Sequence, residues 1–319
     1  MRSKVAVFST RSSSVLDCLR AILEALEWKN HIAEGASVVV KPNLSWPGKD
    51  RAAYANTSPE VLDGLLKILR ERTDRIIVGE SDGTRFSVDE CFNASGYAEV
   101  VARNGVRWVN FSKAPSRPVE LPMLNGFELP VDLMQCDAFI TVPKLKTHAL
   151  TYFTGALKNQ WGCIPRYDRI LLHKQLDELI VELNSLLKPA LSIMDGIWAM
   201  EGRGPVNGRG VKLDLLLGSL DPVALDVSAM RLVGLDPQKA RHVVLAAERG
   251  IGRFSDEEIV LLGDSGVKFG IEPAKLERTV RLMNLLTRYP FFTKHILLNN
   301  TIFKLGKGAV AVLRRFGLS

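Results

Sequence analysis

The sequence predicts an α/β fold: a mostly parallel sheet flanked by helices, arranged as one domain or two lobes, with a basic helical C-terminal extension. Two observations carry this expectation. Short apolar, β-branched runs alternate with amphipathic stretches, as βαβ units require. Polar residues then collect just after the predicted strands, the edge at which open parallel sheets hold ligands. A chain of 319 residues is long enough for either arrangement and for an ample core.

Taken in order, Val5–Phe8 reads as a strand. Ser13–Leu26 follows as a helix with Val15, Leu19, Ile22, Leu23 and Leu26 on one face. Val38–Val40 is a β-branched strand ending at Lys41-Pro42-Asn43. Thr57-Ser58-Pro59-Glu60 opens the next helix with a hydroxyl cap, a proline at the first helical position and an early acid. Ile76–Val78 is a strand that ends in Gly79-Glu80-Ser81-Asp82-Gly83. Helices near Val88–Ala94 and Tyr97–Asn104 lead to a strand at Arg107–Phe111. Ala138–Val142 is the next strand, Arg169–Leu187 an amphipathic helix, and Leu191–Met194 and Leu213–Gly218 two further strands. Val223–Val233 is a helix whose default N-cap is Asp221. The expected division is a core at 1–267, with possible lobes at 1–137 and 138–267, and a tail at 268–319.

Composition narrows the class. No apolar run approaches the roughly 18 residues of a membrane span, and no long apolar leader follows Met1, so the chain reads as cytoplasmic. Cys18, Cys91, Cys136 and Cys163 stand far apart, which provides neither a zinc ribbon nor the cysteine cluster of an iron–sulfur centre. The charge is uneven. From Lys268 onward ten basic residues face two acidic ones, leaving 32 basic and 33 acidic residues in the first 267. The basic pI therefore belongs to the tail. Its apolar and basic residues alternate at helix-like intervals, which fits packing on the core, contact with a second copy, or docking on an anionic membrane surface. Nucleic acid is not expected as a partner, because no recognition motif accompanies the charge.

The densest chemistry follows Val142, where Lys144, Lys146 and His148 arrive in what reads as a loop, with Lys158, Asn159 and Cys163 soon after. Such a cluster attracts an anion and sets a titratable group beside it. Lys41, Asn43, Glu80, Asp82, Lys144, Lys158, Asn159 and Arg203 are the candidate substrate-binding residues. His148 is the first candidate for proton transfer, with Lys146, Asp195 and Glu201 as further acid–base candidates. Asp195, Glu201 and His148 also leave room for a divalent metal, although their spacing matches no compact metal motif. His173 sits on the polar stripe of its helix beside Arg169 and Asp177, so a solvated or ion-paired role is expected. His242 and His295 have nothing convergent around them in the sequence. Gly202, Gly204, Gly208 and Gly210 allow close backbone approach, but Asn207 stands where a dinucleotide-binding loop needs its third glycine.

Seven segments together resemble the DUF362 family. They are Lys41-Pro42-Asn43, Thr57-Ser58-Pro59-Glu60, Gly79-Glu80-Ser81-Asp82-Gly83, Pro143-Lys144-Leu145-Lys146-Thr147-His148, Gly155-Ala156-Leu157-Lys158-Asn159, the stretch from Asp195 to Gly202, and the stretch from Asp221 to Asp226. The resemblance covers roughly residues 3–255. It implies a ferredoxin-type cysteine cluster in many relatives, which this chain lacks. The expected function is that of an enzyme acting on a small anionic substrate by acid–base chemistry of the isomerase, lyase or cyclase type, with little reliance on a cofactor. The alternatives are a redox enzyme with a bound or borrowed cofactor, and a non-catalytic binding or accessory protein docking through its basic tail.

Overall fold

The computed structural model describes residues 2–274, apart from 85, 121, 124, 125 and 167. Twelve strands occur among them: β1 (Ser3–Ser9), β2 (Val38–Pro42), β3 (Ile76–Glu80), β4 (Arg107–Asn110), β5 (Ser116–Val119), β6 (Phe127–Pro130), β7 (Ala138–Val142), β8 (Lys144–His148), β9 (Tyr152–Phe153), β10 (Leu191–Glu201), β11 (Arg209–Ser219) and β12 (Ile259–Gly263). Ten of them form one mixed, mostly parallel sheet. Its order is β12-β1-β11-β10-β7-β2-β3-β4, with β8 beside β10 and β9 beside β8. β10, β7, β2, β3 and β4 run parallel, whereas β11 is antiparallel to both β1 and β10. A separate hairpin pairs β5 with β6.

Period-two alternation divides the core between the two faces of the sheet. Ala6, Val38, Val40, Ala138 and Ile140 pack with the helices Val15–Ala25 and Pro59–Leu69. Their neighbours Val5, Val7, Val39 and Phe139 face the other way, toward Leu176–Leu187, Pro222–Leu232 and Arg241–Glu248. This makes three layers, helix on sheet on helix. The helix starts follow their caps. Ser14, Ser58 and Ser87 each accept a backbone N–H from the first turn, and Asp221 accepts two, from Val223 and Ala224.

Three expectations change. Lys144–His148 is not a loop but the strand β8, buried along its whole length. It takes up the edge of β10 beyond the point where β7 stops. Leu191 and Ser192 pair with β7, Asp195 pairs with Lys144, and the Pro143 carbonyl accepts the Asp195 N–H at 2.9 Å. Proline removes one donor from a ladder but keeps its acceptor, so the chain continues as a strand. Second, Arg169–Leu187 is a 3-10 segment (Arg169–Gln175) that becomes α-helical only at Leu176–Leu187. The helix begins where the acids Asp177 and Glu178 meet its N-terminal dipole. Third, the glycine-rich stretch Gly196–Gly210, which reads as a loop in the sequence, is the end of β10, the turn at 202–208 and the start of β11. Helix Arg241–Glu248 and the strands β5, β6, β9 and β12 add to the elements expected from the sequence.

Of the tail, residues 268–274 are described. They lie against the core through Phe269 and Ile271, whose N–H groups donate to Leu232 and Val233 carbonyls at 2.8 and 3.0 Å. The expected basic helices and His295 fall outside the described residues. No helix among the described residues is long and apolar enough to cross a membrane.

Asp221 does more than cap its helix. It also accepts hydrogen bonds from the Ser3 hydroxyl at 2.6 Å and the Arg253 amide at 2.8 Å. Asp221→Ala is therefore expected to exceed the loss of a lone cap and to lower stability by about 2 kcal/mol, read as a shift in the urea midpoint with an unchanged slope.

Candidate active site

Four lysines and an arginine converge near the C-terminal ends of β2, β3 and β7, two of the lysines being carried by β8. Lys41, next to last in β2, has no solvent exposure and donates to Glu80, the last residue of β3, at 2.5 Å. Its ammonium also reaches the Pro42 carbonyl and Asn159 Oδ1, at 3.1 and 3.3 Å. Asn159 returns two bonds, to the Lys41 carbonyl and to the Thr141 hydroxyl. Gly162 lies directly against this pair. A Cβ there would sit 2.2 Å from Glu80 Oε1 and 2.7 Å from Lys41 Nζ, which explains why a glycine occupies the position.

A second pair joins Lys144 to Asp195 at 2.8 Å, both fully buried. The Asp195 carboxylate also accepts the Ser58 amide at 2.7 Å and the Ile197 amide at 3.0 Å. Burial pulls the Lys144 ammonium down, and Asp195 opposes that shift.

The other cations lack such partners. Lys146 donates to the Ser45 hydroxyl at 3.1 Å and the Ala55 carbonyl at 2.9 Å. Burial, together with Lys158 and Lys144 nearby, lowers its amine to about 7. Lys158 is half-buried, and burial and the Arg169 charge lower it to about 8. The Arg169 guanidinium is held by neutral oxygens: the Ser81 hydroxyl, and the carbonyls of Ile164, Arg166 and Asp82. Burial lowers its pKa as well. Among the described residues, no carboxylate forms an ion pair with Lys146, Lys158 or Arg169.

His148 is buried at the end of β8. Its Nδ1 accepts the amides of Leu150 and Thr151 at 3.1 and 3.2 Å. That assignment puts the proton of the neutral ring on Nε2. Burial, then Lys158 and His173, hold the ring well below the usual histidine range, so it stays neutral at physiological pH. His173 is half-buried beside Trp161 and is pushed down to about 3 by burial, Lys158 and Arg169; the expected solvated stripe is not what surrounds it. His242 also departs from expectation. It is fully buried, with Nδ1 at 3.5 Å from Asp177 Oδ1.

The remaining candidates lie around this centre. Asn43 fixes the loop that supplies the acceptors of Lys146, through bonds to the Ala55 carbonyl and the Thr57 hydroxyl. Asp82 holds the start of helix Val88–Ala94 by accepting the Val88 amide at 2.8 Å. Glu201 pairs with Arg209 and accepts the Glu272 amide at 2.8 Å. Arg203 is exposed in the β10–β11 turn. Among the described residues, no group of three His, Cys, Asp or Glu side chains could hold a metal ion. Cys163 is fully buried, and its thiol is pushed up to about 12, far from a reactive thiolate.

Two further residues shape the site. The sequence puts Arg169 on the polar stripe of its helix, and it leaves Asp226 open between the helix dipole and the site. Asp226 accepts the Ala156 and Leu157 amides at 2.6 and 3.0 Å and so anchors the short helix Gly155–Asn159 that carries Lys158. Gly155 has φ +60°, and a Cβ on it would meet Asp226 Oδ1 at 2.2 Å, so two constraints select glycine there. A cleft of ≈ 460 Å³ lined by Val38, Ile76, Arg107 and Asp132 opens at the opposite, N-terminal ends of the strands and takes no part in the cluster.

Removing one member of a buried ion pair leaves its partner uncompensated. Lys41→Met is expected to destabilise the protein by about 3–5 kcal/mol, and adding Glu80→Leu to recover most of that loss. Equilibrium denaturation of the two single variants and the double variant measures this coupling.

The family model described as a domain of unknown function, DUF362, matches residues 38–231. A thylakoid-associated protein of Synechocystis sp. is 31% identical over 257 residues, which is 76% of this chain and 77% of that protein. The lactate racemase apoprotein of Thermoanaerobacterium thermosaccharolyticum is similar at a TM-score of 0.47 and 13% identity, over 69% of this chain and 54% of that one. The chain thus spans about half the length of that structure. The motifs that line the rim fall within the matched segment, and the chain belongs to the DUF362 family.

Proposed function

We propose that the protein is an enzyme that moves protons on a small anionic substrate at this rim, using isomerase or lyase chemistry. One observation carries the reading. Lys146, Lys158 and Arg169 are clustered at the rim without a carboxylate partner among the described residues, while Glu80 and Asp195 are already engaged by Lys41 and Lys144. Unbalanced charge in a low-dielectric site favours a ligand of opposite sign.

Lys146 is the base in this reading. A neutral amine has two hydrogens, and Ser45 and Ala55 accept both, which leaves the lone pair to take a proton. Its lowered value of about 7 keeps roughly half of it neutral at pH 7, against well under ~0.1% for an ordinary lysine. Lys158, Arg169 and the Nε2–H of His148 would stabilise negative charge as it develops on the substrate. Asp195 and Glu201 have their oxygens occupied by backbone amides and cations, so they serve this reading as supports.

The test is solvent hydrogen exchange, followed by NMR in ²H₂O across a panel of small carboxylates and oxo acids. Exchange at carbon should rise about tenfold per pH unit below about 7 and level off above it, as Lys146 loses its proton. Lys146→Met should lower the rate by about 10²-fold or more while the protein remains folded. Exchange that survives this substitution would remove Lys146 as the base. Tight binding of an anion without exchange in any compound would favour the non-catalytic alternative.

A further inference from the structure

We propose that Lys158 is a nucleophile that condenses with the carbonyl group of an oxo acid to form an imine at the rim. The proposal rests on the reading of this rim as a proton-transfer site for anions, and it narrows the substrate class to compounds with both a carbonyl and a carboxylate.

The four rim lysines are not equivalent. Lys41 uses its ammonium hydrogens on Glu80, Pro42 and Asn159. Lys144 is locked to Asp195 and fully buried. Lys146 directs its hydrogens to Ser45 and Ala55, which holds its lone pair in place for the proton transfer assigned to it above. Lys158 has no hydrogen bond or ion pair among the described residues and is half-buried, which makes it the least enclosed and least engaged of the four. Its backbone is well anchored. Asp226 caps the helix at Ala156 and Leu157, and the next residue, Asn159, is tied to Lys41 and Thr141.

The surroundings also suit a nucleophilic amine. Burial and the positive charge of Arg169 and Lys41 disfavour the ammonium form and bring it to about 8. Roughly one molecule in ten then has a neutral amine at pH 7, against roughly one in a few thousand for an unperturbed lysine. Lys158 is also the charge with the largest effect on His148, whose ring carries its proton on the nitrogen not engaged by Leu150 and Thr151. A neutral donor thus lies near the amine, within a cluster of cations that suits the substrate carboxylate.

The chemistry balances without an oxidant or reductant. The lone pair of Lys158 Nζ adds to the carbonyl carbon, and the carbonyl oxygen takes up a proton. The resulting carbinolamine loses its oxygen as water, which carries away both amine hydrogens, and a carbon–nitrogen double bond remains. Protonated on nitrogen, that imine withdraws electrons from the neighbouring carbon and acidifies the C–H bond that Lys146 deprotonates.

Borohydride trapping tests this directly. Wild-type protein is incubated with pyruvate, oxaloacetate or 2-oxoglutarate, reduced with sodium borohydride, and digested for peptide mass mapping. The expected product is a secondary amine on Lys158, formed at least about tenfold ahead of adducts on the exposed Lys29 and Lys188 because of its larger neutral fraction. Lys158→Arg should abolish that adduct, and Lys146→Met should retain it while losing solvent exchange. The wild-type map decides the matter even if a variant folds poorly. Adducts confined to exposed lysines, an adduct on Lys146 instead, or no adduct with any of the three acids would overturn the proposal. Exchange without trapping would reject the imine and leave the proton-transfer reading intact, whereas trapping without exchange would do the reverse.

Discussion

The Lys144–Asp195 ion pair stands where three separate parts of the chain must meet. Lys144 opens β8, Asp195 lies within β10, and the same carboxylate accepts the amide of Ser58, the cap of helix Pro59–Leu69. Neither charge has solvent exposure. A pair buried this deeply gains little over an apolar substitute, but losing one member is severe, so it specifies geometry more than it adds stability. Once β8 is fixed on β10 in this way, Lys146 and His148 follow at set positions. The loop holding Ser45 and Ala55 then closes over Lys146.

The lowered basicity of the rim follows from the same arrangement. Parallel strands end together, so residues far apart in sequence deliver their side chains to one small volume. Five cations share that volume with the carboxylates Glu80 and Asp195, each held by a single lysine. The remaining amines have both water and counter-charge withdrawn, and the two effects act in the same direction for a cation surrounded by cations. His148 is affected likewise, and its two amide donors remove the lone pair through which an imidazole usually takes up a proton. The residue that first draws attention as an acid–base group is thereby turned into a neutral donor, and in the proposed function the basic role passes to an amine.

Much of this was legible in the sequence, for identifiable reasons. The strands at Val38, Ile76 and Ala138 are short runs rich in β-branched residues, and the capped helices carry local signals that need no tertiary context. The convergence of Lys41, Glu80, Lys144 and Asp195 followed from a single rule about strand ends. What stayed hidden depends on long-range pairing. Lys144–His148 has polar residues at alternate positions, and after Pro143 that pattern resembles a loop until β10 is present to bond it. Arg169 sits on a sequence with helical periodicity, yet its guanidinium reaches back to Ser81 and Asp82, nearly ninety positions earlier. No local pattern encodes such a contact. Asp226 was equally ambiguous, because a carboxylate one turn inside a helix looks the same whether it faces solvent or anchors another segment.

The conversion of Lys144–His148 from loop to strand makes the segment a ruler. Alternate residues of an extended chain share a face and recur every ~6.6 Å or so, which sets Lys144, Lys146 and His148 in a row about 13 Å long. The spacing is fixed by backbone geometry, so the two intervening positions, Leu145 and Thr147, can vary in size only as far as the opposite face allows. Their number is under a stricter constraint. Inserting or deleting a single residue here would rotate every following side chain to the wrong side, burying imidazole in the apolar layer and turning leucine toward the cations. Length is therefore the property of this segment that divergence can least alter.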